Sequence, residues 1–153
     1  MRSRTLLALL SLAVGSSFLA FRMLDGASPA SAVNVAGDAE SLPSQLAVVW
    51  TDGDRNVALK VAFMYTFNAK ARGWFDEVTL IVWGPSANLL AEDPELQESI
   101  GEMRAEGIEV VACKACADSY GVSETLAGLG IDVKYMGQPL TEMLKGDWKV
   151  LTF

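Results

Sequence analysis

Short apolar segments alternate with segments of helical character along most of this chain. The apolar segments have the length and composition of buried strands, and they cover residues 45–50, 77–83, 108–112, 131–135 and 148–153. Strands separated by helices favour a parallel sheet, because each parallel connection must return from one end of the sheet to the other. We therefore predict an α/β fold, a three-layer sandwich of flavodoxin-like type with a mainly parallel five-stranded sheet and helices on both faces.

The segments between the predicted strands carry recognisable helix boundaries. Asp54 is placed to cap a helix over residues 55–71, and Asp93, which a proline follows, begins another. Ser86 and Ser123 are the predicted caps of two shorter helices. The apolar stripe of the first helix is unusually wide, which predicts contacts with the sheet and with another subunit. Its members are Val57, Leu59, Val61, Phe63, Met64, Thr66 and Phe67.

Residues 1–32 have the pattern of a secretory signal peptide. A basic start is followed by an apolar run over residues 6–21 and by a small-residue cleavage signal that ends at Ala32. We predict cleavage after Ala32 and a periplasmic or otherwise exported protein. An uncleaved membrane anchor is the alternative, although the run is short for a membrane span.

The rest of the chain is a predicted linker, residues 33–44, and a predicted domain, residues 45–153. The chain carries a net charge of −7, and loss of residues 1–32 makes it more acidic still. An acidic protein without a basic patch is not expected to bind nucleic acid or anionic membranes. With no histidine and only two cysteines, Ser-His-Asp catalysis, Cys-His catalysis and the usual zinc sites are excluded. No phosphate-binding glycine loop is present, so we predict no cofactor and no metal.

Both cysteines of the chain, Cys113 and Cys116, lie near its middle. Cys113 follows the third predicted strand and precedes a helix over residues 114–120 that Gly121 stops, so we expect its thiol to face solvent at the carboxyl edge of the sheet. The helix N-terminus and the neighbouring Lys114 favour a thiolate, the form that attacks or carries sulfur. In an exported protein, the same pair also fits a plain disulfide or two small buried side chains.

Ligands of open parallel sheets bind outside the carboxyl ends of the strands. The residues predicted at that edge, besides the cysteines, are Asp52, Asp54, Trp83, Ser86 and the pair Met136-Gly137. Most also have a purely structural interpretation, with the aspartates as turn and cap residues, the tryptophan in the core and the serine as a helix cap. We therefore take Cys113 and Cys116 as the candidate catalytic residues, and Lys114, Asp52, Asp54, Trp83 and Ser86 as supporting candidates.

Four segments of the chain, in their order and spacing, resemble the DsrE/DsrF-like family. They are LAVVWTDGD, VTLIVWGPSANLL, GIEVVACKACADSYGV and GIDVKYMGQPLTEMLKGDWKVLTF, and they run from Leu46 to Phe153. The resemblance implies a flavodoxin-like fold and homo-oligomers, often trimers or hexamers. It also implies that Cys113, with Gly121-Val122 after it, occupies the position at which sulfur-relay members carry a persulfide. Cys116 has no counterpart in those relay subunits, which are typically cytoplasmic.

Three functions remain open at this point. The first is an exported sulfur carrier that holds a persulfide on Cys113 and passes it to a partner thiol, with sulfurtransferase-like activity at most. The second is a cell-envelope thiol–disulfide or redox-sensing protein in which Cys113 and Cys116 cycle between dithiol and disulfide. The third is a non-catalytic oligomeric binding protein whose cysteines do little.

Overall fold

A computed structural model describes residues 44–153, and five parallel strands form the centre of this region. The strands are β1 (Gln45–Trp50), β2 (Glu77–Val82), β3 (Glu109–Cys113), β4 (Asp132–Lys134) and β5 (Lys149–Thr152). Their order across the sheet is β4-β3-β2-β1-β5, and every neighbouring pair is parallel. The predicted parallel α/β fold is confirmed. The predicted signal peptide and nearly all of the predicted linker lie outside the described residues.

Six helical segments connect the strands. They are α1 (residues 55–71, made of Arg55–Val57, Ala58–Phe63 and Met64–Ala71), α2 (Pro85–Glu92), α3 (Pro94–Ala105), α4 (Lys114–Tyr120), α5 (Ser123–Gly128) and α6 (Gly137–Lys145). Asp54 and Asp93 cap α1 and α3 as predicted, since each carboxylate accepts hydrogen bonds from two backbone N–H groups of the first turn. Ser86 and Ser123 lie inside their helices, so their prediction as caps is wrong.

The middle of α1, Ala58–Phe63, is a π-helix. Of the predicted apolar stripe, Phe63 and Thr66 are buried, and Leu59 and Phe67 pack against the same core. The buried residues of α1 are Ala58, Ala62, Phe63, Thr66 and Ala69. Val61 and Met64 of the predicted stripe are 38% and 53% exposed.

Alternate residues of each strand point to opposite faces of the sheet, and the two faces are covered differently. On the first face the strands pack against buried side chains of α1 to α5, such as Phe63, Leu90 and Leu126. On the second face they contact α6, whose Leu140 and Met143 are half-buried. Strands β1 to β4 advance across the sheet in one direction, and right-handed crossovers then place their helices on one face. The connection from β4 returns past β1 to β5, which places α6 on the other face.

Within residues 44–153, none of the helices combines the length and the apolar composition that a membrane span requires.

Candidate functional site

Cys113 stands where a strand becomes a helix. It is the last residue of β3 and the residue that precedes α4, with an extended backbone (φ −69°, ψ 111°). Helix α4 ends at Gly121, whose left-handed backbone (φ 71°) suits glycine. Because Ala112 faces the first side of the sheet, Cys113 faces the second, beside Val111 and Met136. The predicted position at the carboxyl edge of the sheet is therefore found.

The topology opens a crevice at this end of β3. The chain leaves β3 toward α4 on the first face, whereas it leaves the neighbouring β4 toward α6 on the second face. Between two parallel strands whose connections leave on opposite faces, a cleft forms at the carboxyl edge and commonly holds the ligand. Cys113 lies at this switch point.

A pocket of about 540 Å³ occupies the crevice, a size within the range of small-molecule sites. Its lining residues are Trp83, Cys113, Ala115, Tyr135, Met136, Gly137, Gln138, Pro139 and Glu142. Cys113 is only 4% exposed, so the expectation that its thiol faces solvent is wrong. Cys113 is buried by side chains on the second face of the sheet, such as Val111 and Met136, and a reactant would reach it through the pocket.

Cys116 lies one helical turn after Cys113 and is half-buried, and both cysteines are free thiols. Burial raises the pKa of the Cys116 thiol, and hydrogen bonding to Cys113 raises it further, whereas the backbone N–H of Gly84 acts in the opposite direction. The raised pKa keeps Cys116 protonated at neutral pH. Cys116 also packs against the apolar cluster that contains Cys113.

Lys114, a predicted support for the thiolate, is held by other groups. Its Nζ lies 2.6 and 2.8 Å from the carboxylate oxygens of Asp118, and 5.8 Å from the centre of the Tyr135 ring. The hydrogen bond that Lys114 donates to Asp118 raises the pKa of Lys114. The hydrogen bonds that Lys114 and the hydroxyl of Ser123 donate to Asp118, of which the one from Lys114 has the larger effect, lower the pKa of Asp118. Lys114 does not belong to the described lining of the pocket. Its ammonium charge is therefore balanced by the carboxylate of Asp118.

The two predicted acidic residues serve the backbone of the β1–α1 turn. Asp52 accepts a hydrogen bond from the N–H of Asp54 at 2.6 Å, and Asp54 caps α1. Neither carboxylate is part of the described pocket lining. The roles of turn residue and helix cap account for Asp52 and Asp54, respectively.

Trp83 and Ser86 are close in sequence but differ in role. Trp83 is half-buried and lines the pocket. Ser86 is fully buried, and its hydroxyl donates to the carbonyl oxygen of Trp50 at 2.6 Å and accepts from the N–H of Trp83 at 3.0 Å. Ser86 therefore ties the ends of β1 and β2 together and positions the backbone of Trp83.

Sequence reasoning missed five of the lining residues. They are Ala115, Tyr135, Gln138, Pro139 and Glu142. All except Ala115 belong to the connection between β4 and α6 or to α6 itself. The prediction placed Met136-Gly137 at the edge but could not place this connection beside Cys113, because strand order is not encoded in local pattern. Among residues 44–153, no three Cys, Asp or Glu side chains are grouped as metal ligands would be.

Residues 44–153 match the model of the DsrE/DsrF-like family. Among solved structures, a conserved protein of unknown function from Bacteroides thetaiotaomicron is 39% identical over 72% of this chain and 95% of its own, with a TM-score of 0.69. The ychN protein from E. coli is 17% identical over 71% of this chain and 98% of its own, with a TM-score of 0.56, a likeness that shows the fold alone. No curated protein matches this sequence.

Proposed function

This chain belongs to the DsrE/DsrF-like family, and on that basis we propose that it is a sulfur carrier that holds a persulfide on Cys113. The observation that carries the proposal is the position of Cys113, a free thiol at the end of β3 that lines an open pocket at the switch point of the sheet. A carrier thiol needs protection from bulk solvent and access for one donor at a time. A buried sulfur that lines a pocket meets both needs.

The proposed chemistry consists of two exchange steps at sulfur. In the first, the Cys113 thiolate attacks the outer sulfur of a donor persulfide; a new S–S bond forms at Cys113, and the donor leaves as a thiolate with the electron pair of the broken S–S bond. In the second, an acceptor thiolate attacks the terminal sulfur of the Cys113 persulfide and releases the Cys113 thiolate. Neither step consumes an oxidant or a reductant.

Mass spectrometry tests the proposal. The full-length protein is incubated without oxygen with benzyl persulfide, and its peptides are then mapped. We expect one added sulfur atom on Cys113, no loading of that position in Cys113→Ser, and retained loading in Cys116→Ser, a matched change one helical turn away. An unmodified Cys113 in the wild-type protein would contradict the proposal.

The packing of both cysteines in one apolar cluster favours a second candidate function, thiol–disulfide exchange. A partner disulfide would accept attack from Cys113, and Cys116 would then attack the sulfur of Cys113 in the mixed disulfide and release the partner as a dithiol. A titration against glutathione redox buffers separates the cases. A reversible midpoint within the glutathione range supports exchange, whereas a bond that no physiological reductant opens indicates a structural disulfide. Full function of Cys113→Ser in the cell would favour a non-catalytic binding protein.

We propose in addition that residues 1–32 direct export, so that the carrier works outside the cytoplasm. The support is the sequence pattern of a basic start, an apolar run and a cleavage signal that ends at Ala32. N-terminal sequencing of the protein from its own cells is expected to begin at Val33. A sequence that begins at Met1 would contradict cleavage, and its recovery in the membrane fraction would indicate an anchor.

We also propose that the protein is a homo-oligomer, a trimer or hexamer. The support within the described residues is the partial exposure of two apolar side chains of α1, Val61 and Met64. Sedimentation equilibrium is expected to give three or six times the mass of the chain, and a monomer at micromolar concentration would contradict this proposal.

A further inference from the structure

We infer that the sulfur donor presents its outer sulfur to Cys113 on a small, uncharged and apolar organic group. The inference rests on the proposed function and adds the chemical class of the donor. It follows from the pocket that leads to the thiol, because any donor must place the group that bears the sulfur inside this pocket.

The walls of the pocket are mainly apolar. Trp83 and Met136 pack with Cys113 on the second face of the sheet, and Pro139, another lining residue, is partly buried. Tyr135 is 67% exposed and so presents most of its ring outside the core. Aromatic and thioether surfaces favour contact with an apolar or aromatic group. The volume of about 540 Å³ suits a group of small-molecule size.

The charge of the pocket disfavours anions. Glu142 is its one ionisable carboxylate, and it accepts a hydrogen bond from Gln138 at 2.8 Å, which leaves its negative charge in place. No lysine or arginine belongs to the described lining. The nearest cations in sequence are paired with carboxylates: Lys134 with Asp132, and Lys114, whose Nζ lies 5.8 Å from the centre of the Tyr135 ring, with Asp118. An anionic donor such as thiosulfate would therefore meet repulsion from Glu142 and find no unpaired cation in the described lining.

The transfer step fits such a donor. The Cys113 thiolate attacks the outer sulfur of the protonated persulfide R–S–S–H, which becomes Cys113–S–S–H, and R–S⁻ leaves with the electron pair of the broken bond. Atoms and charge balance without a further reactant. The group R remains against the apolar wall while sulfur is exchanged.

A pair of donors that differ only in charge tests the inference. Benzyl persulfide and 4-carboxybenzyl persulfide have the same reacting group, and the added carboxylate lies away from the sulfur. With the full-length protein, we expect benzyl persulfide to load Cys113 about tenfold faster than its carboxylated analogue. Thiosulfate, a purely inorganic anion, is expected to load Cys113 more slowly than either.

Charge variants identify the origin of this preference. Glu142→Lys should bring the two loading rates to within about twofold of each other, because it replaces repulsion by attraction. Glu102→Lys is the matched control: it makes the same change in net charge on an exposed residue of α3, which packs on the opposite face of the sheet. The control is expected to keep the wild-type preference.

The outcomes separate the inference from the proposed function. Loading by both benzyl donors at equal rates, or an unchanged preference in Glu142→Lys, would overturn the donor class and leave the carrier function standing. Absence of loading by every donor would overturn both.

Discussion

The Cys116 thiol lies one helical turn beyond Cys113, and burial together with hydrogen bonding between the two side chains raises its pKa. At neutral pH, Cys116 is therefore protonated and a poor nucleophile, since the thiolate is the reactive form. This arrangement lets a persulfide persist on Cys113. It would otherwise be lost if Cys116 attacked the sulfur of Cys113 and expelled hydrosulfide.

Alkylation of Cys116 should need a more alkaline pH than alkylation of an ordinary cysteine. A raised pKa lowers the thiolate fraction at any given pH. The rate of Cys116 alkylation by iodoacetamide should therefore reach half its maximum at a pH above the pKa range of ordinary thiols. In Cys113→Ala the midpoint should move to lower pH, because the hydrogen bonding to Cys113 that raises the pKa of Cys116 is lost, but burial should hold it above the ordinary value. Peptide mass spectrometry over a pH series measures both rates.

A midpoint for wild-type Cys116 at or below that of a free cysteine peptide would contradict this account of the pair. An unchanged midpoint in Cys113→Ala would show that burial alone accounts for the shift.

Ser86→Ala should destabilise the fold. The buried hydroxyl donates to the carbonyl oxygen of Trp50 and accepts from the N–H of Trp83, and its removal leaves buried backbone groups with fewer partners. We expect a loss of about 2 kcal/mol in the free energy of unfolding, measured by urea denaturation. Ser99→Ala, which removes an exposed hydroxyl that bonds to its own helix, should change stability by no more than about 0.5 kcal/mol. Equal effects of the two changes would show that Ser86 does not tie the strands.

Lys114→Gln should have little effect on sulfur loading. The ammonium group is paired with Asp118 and does not belong to the described pocket lining, so its removal should change the loading rate of Cys113 by less than about twofold. The rate is measured by mass spectrometry of samples that are quenched at successive times after mixing with benzyl persulfide. A tenfold decrease would restore Lys114 to the supporting role that its place in the sequence suggested.

The strands were predictable because each is a short apolar run with clear boundaries. All five were found, with ends that differ from the prediction by at most one residue; β3, for example, extends to Cys113. The caps Asp54 and Asp93 were found as well, since an N-cap depends on its own and the next few residues. The position of Cys113 at a strand end followed from the same local pattern.

The pocket could not be predicted, because it depends on which strands are neighbours. Tyr135 and Glu142 lie near Cys113 only because β4 pairs with β3 and the chain then crosses to the second face. Ser86 was placed at the carboxyl edge correctly, but its direction into the core is set by the carbonyl oxygen of Trp50, a residue distant in sequence.

The central claim is that Cys113 takes up a sulfur atom and gives the same atom away. The full-length protein can be loaded with persulfide whose outer sulfur is sulfur-34, freed of donor, and mixed with an excess of a small acceptor thiol. We predict that the isotope appears first on the peptide that contains Cys113. After the acceptor is added, the amount of isotope on the acceptor should equal the amount lost from that peptide. Failure of the isotope to attach at Cys113, or its retention there in the presence of acceptor, would contradict the account.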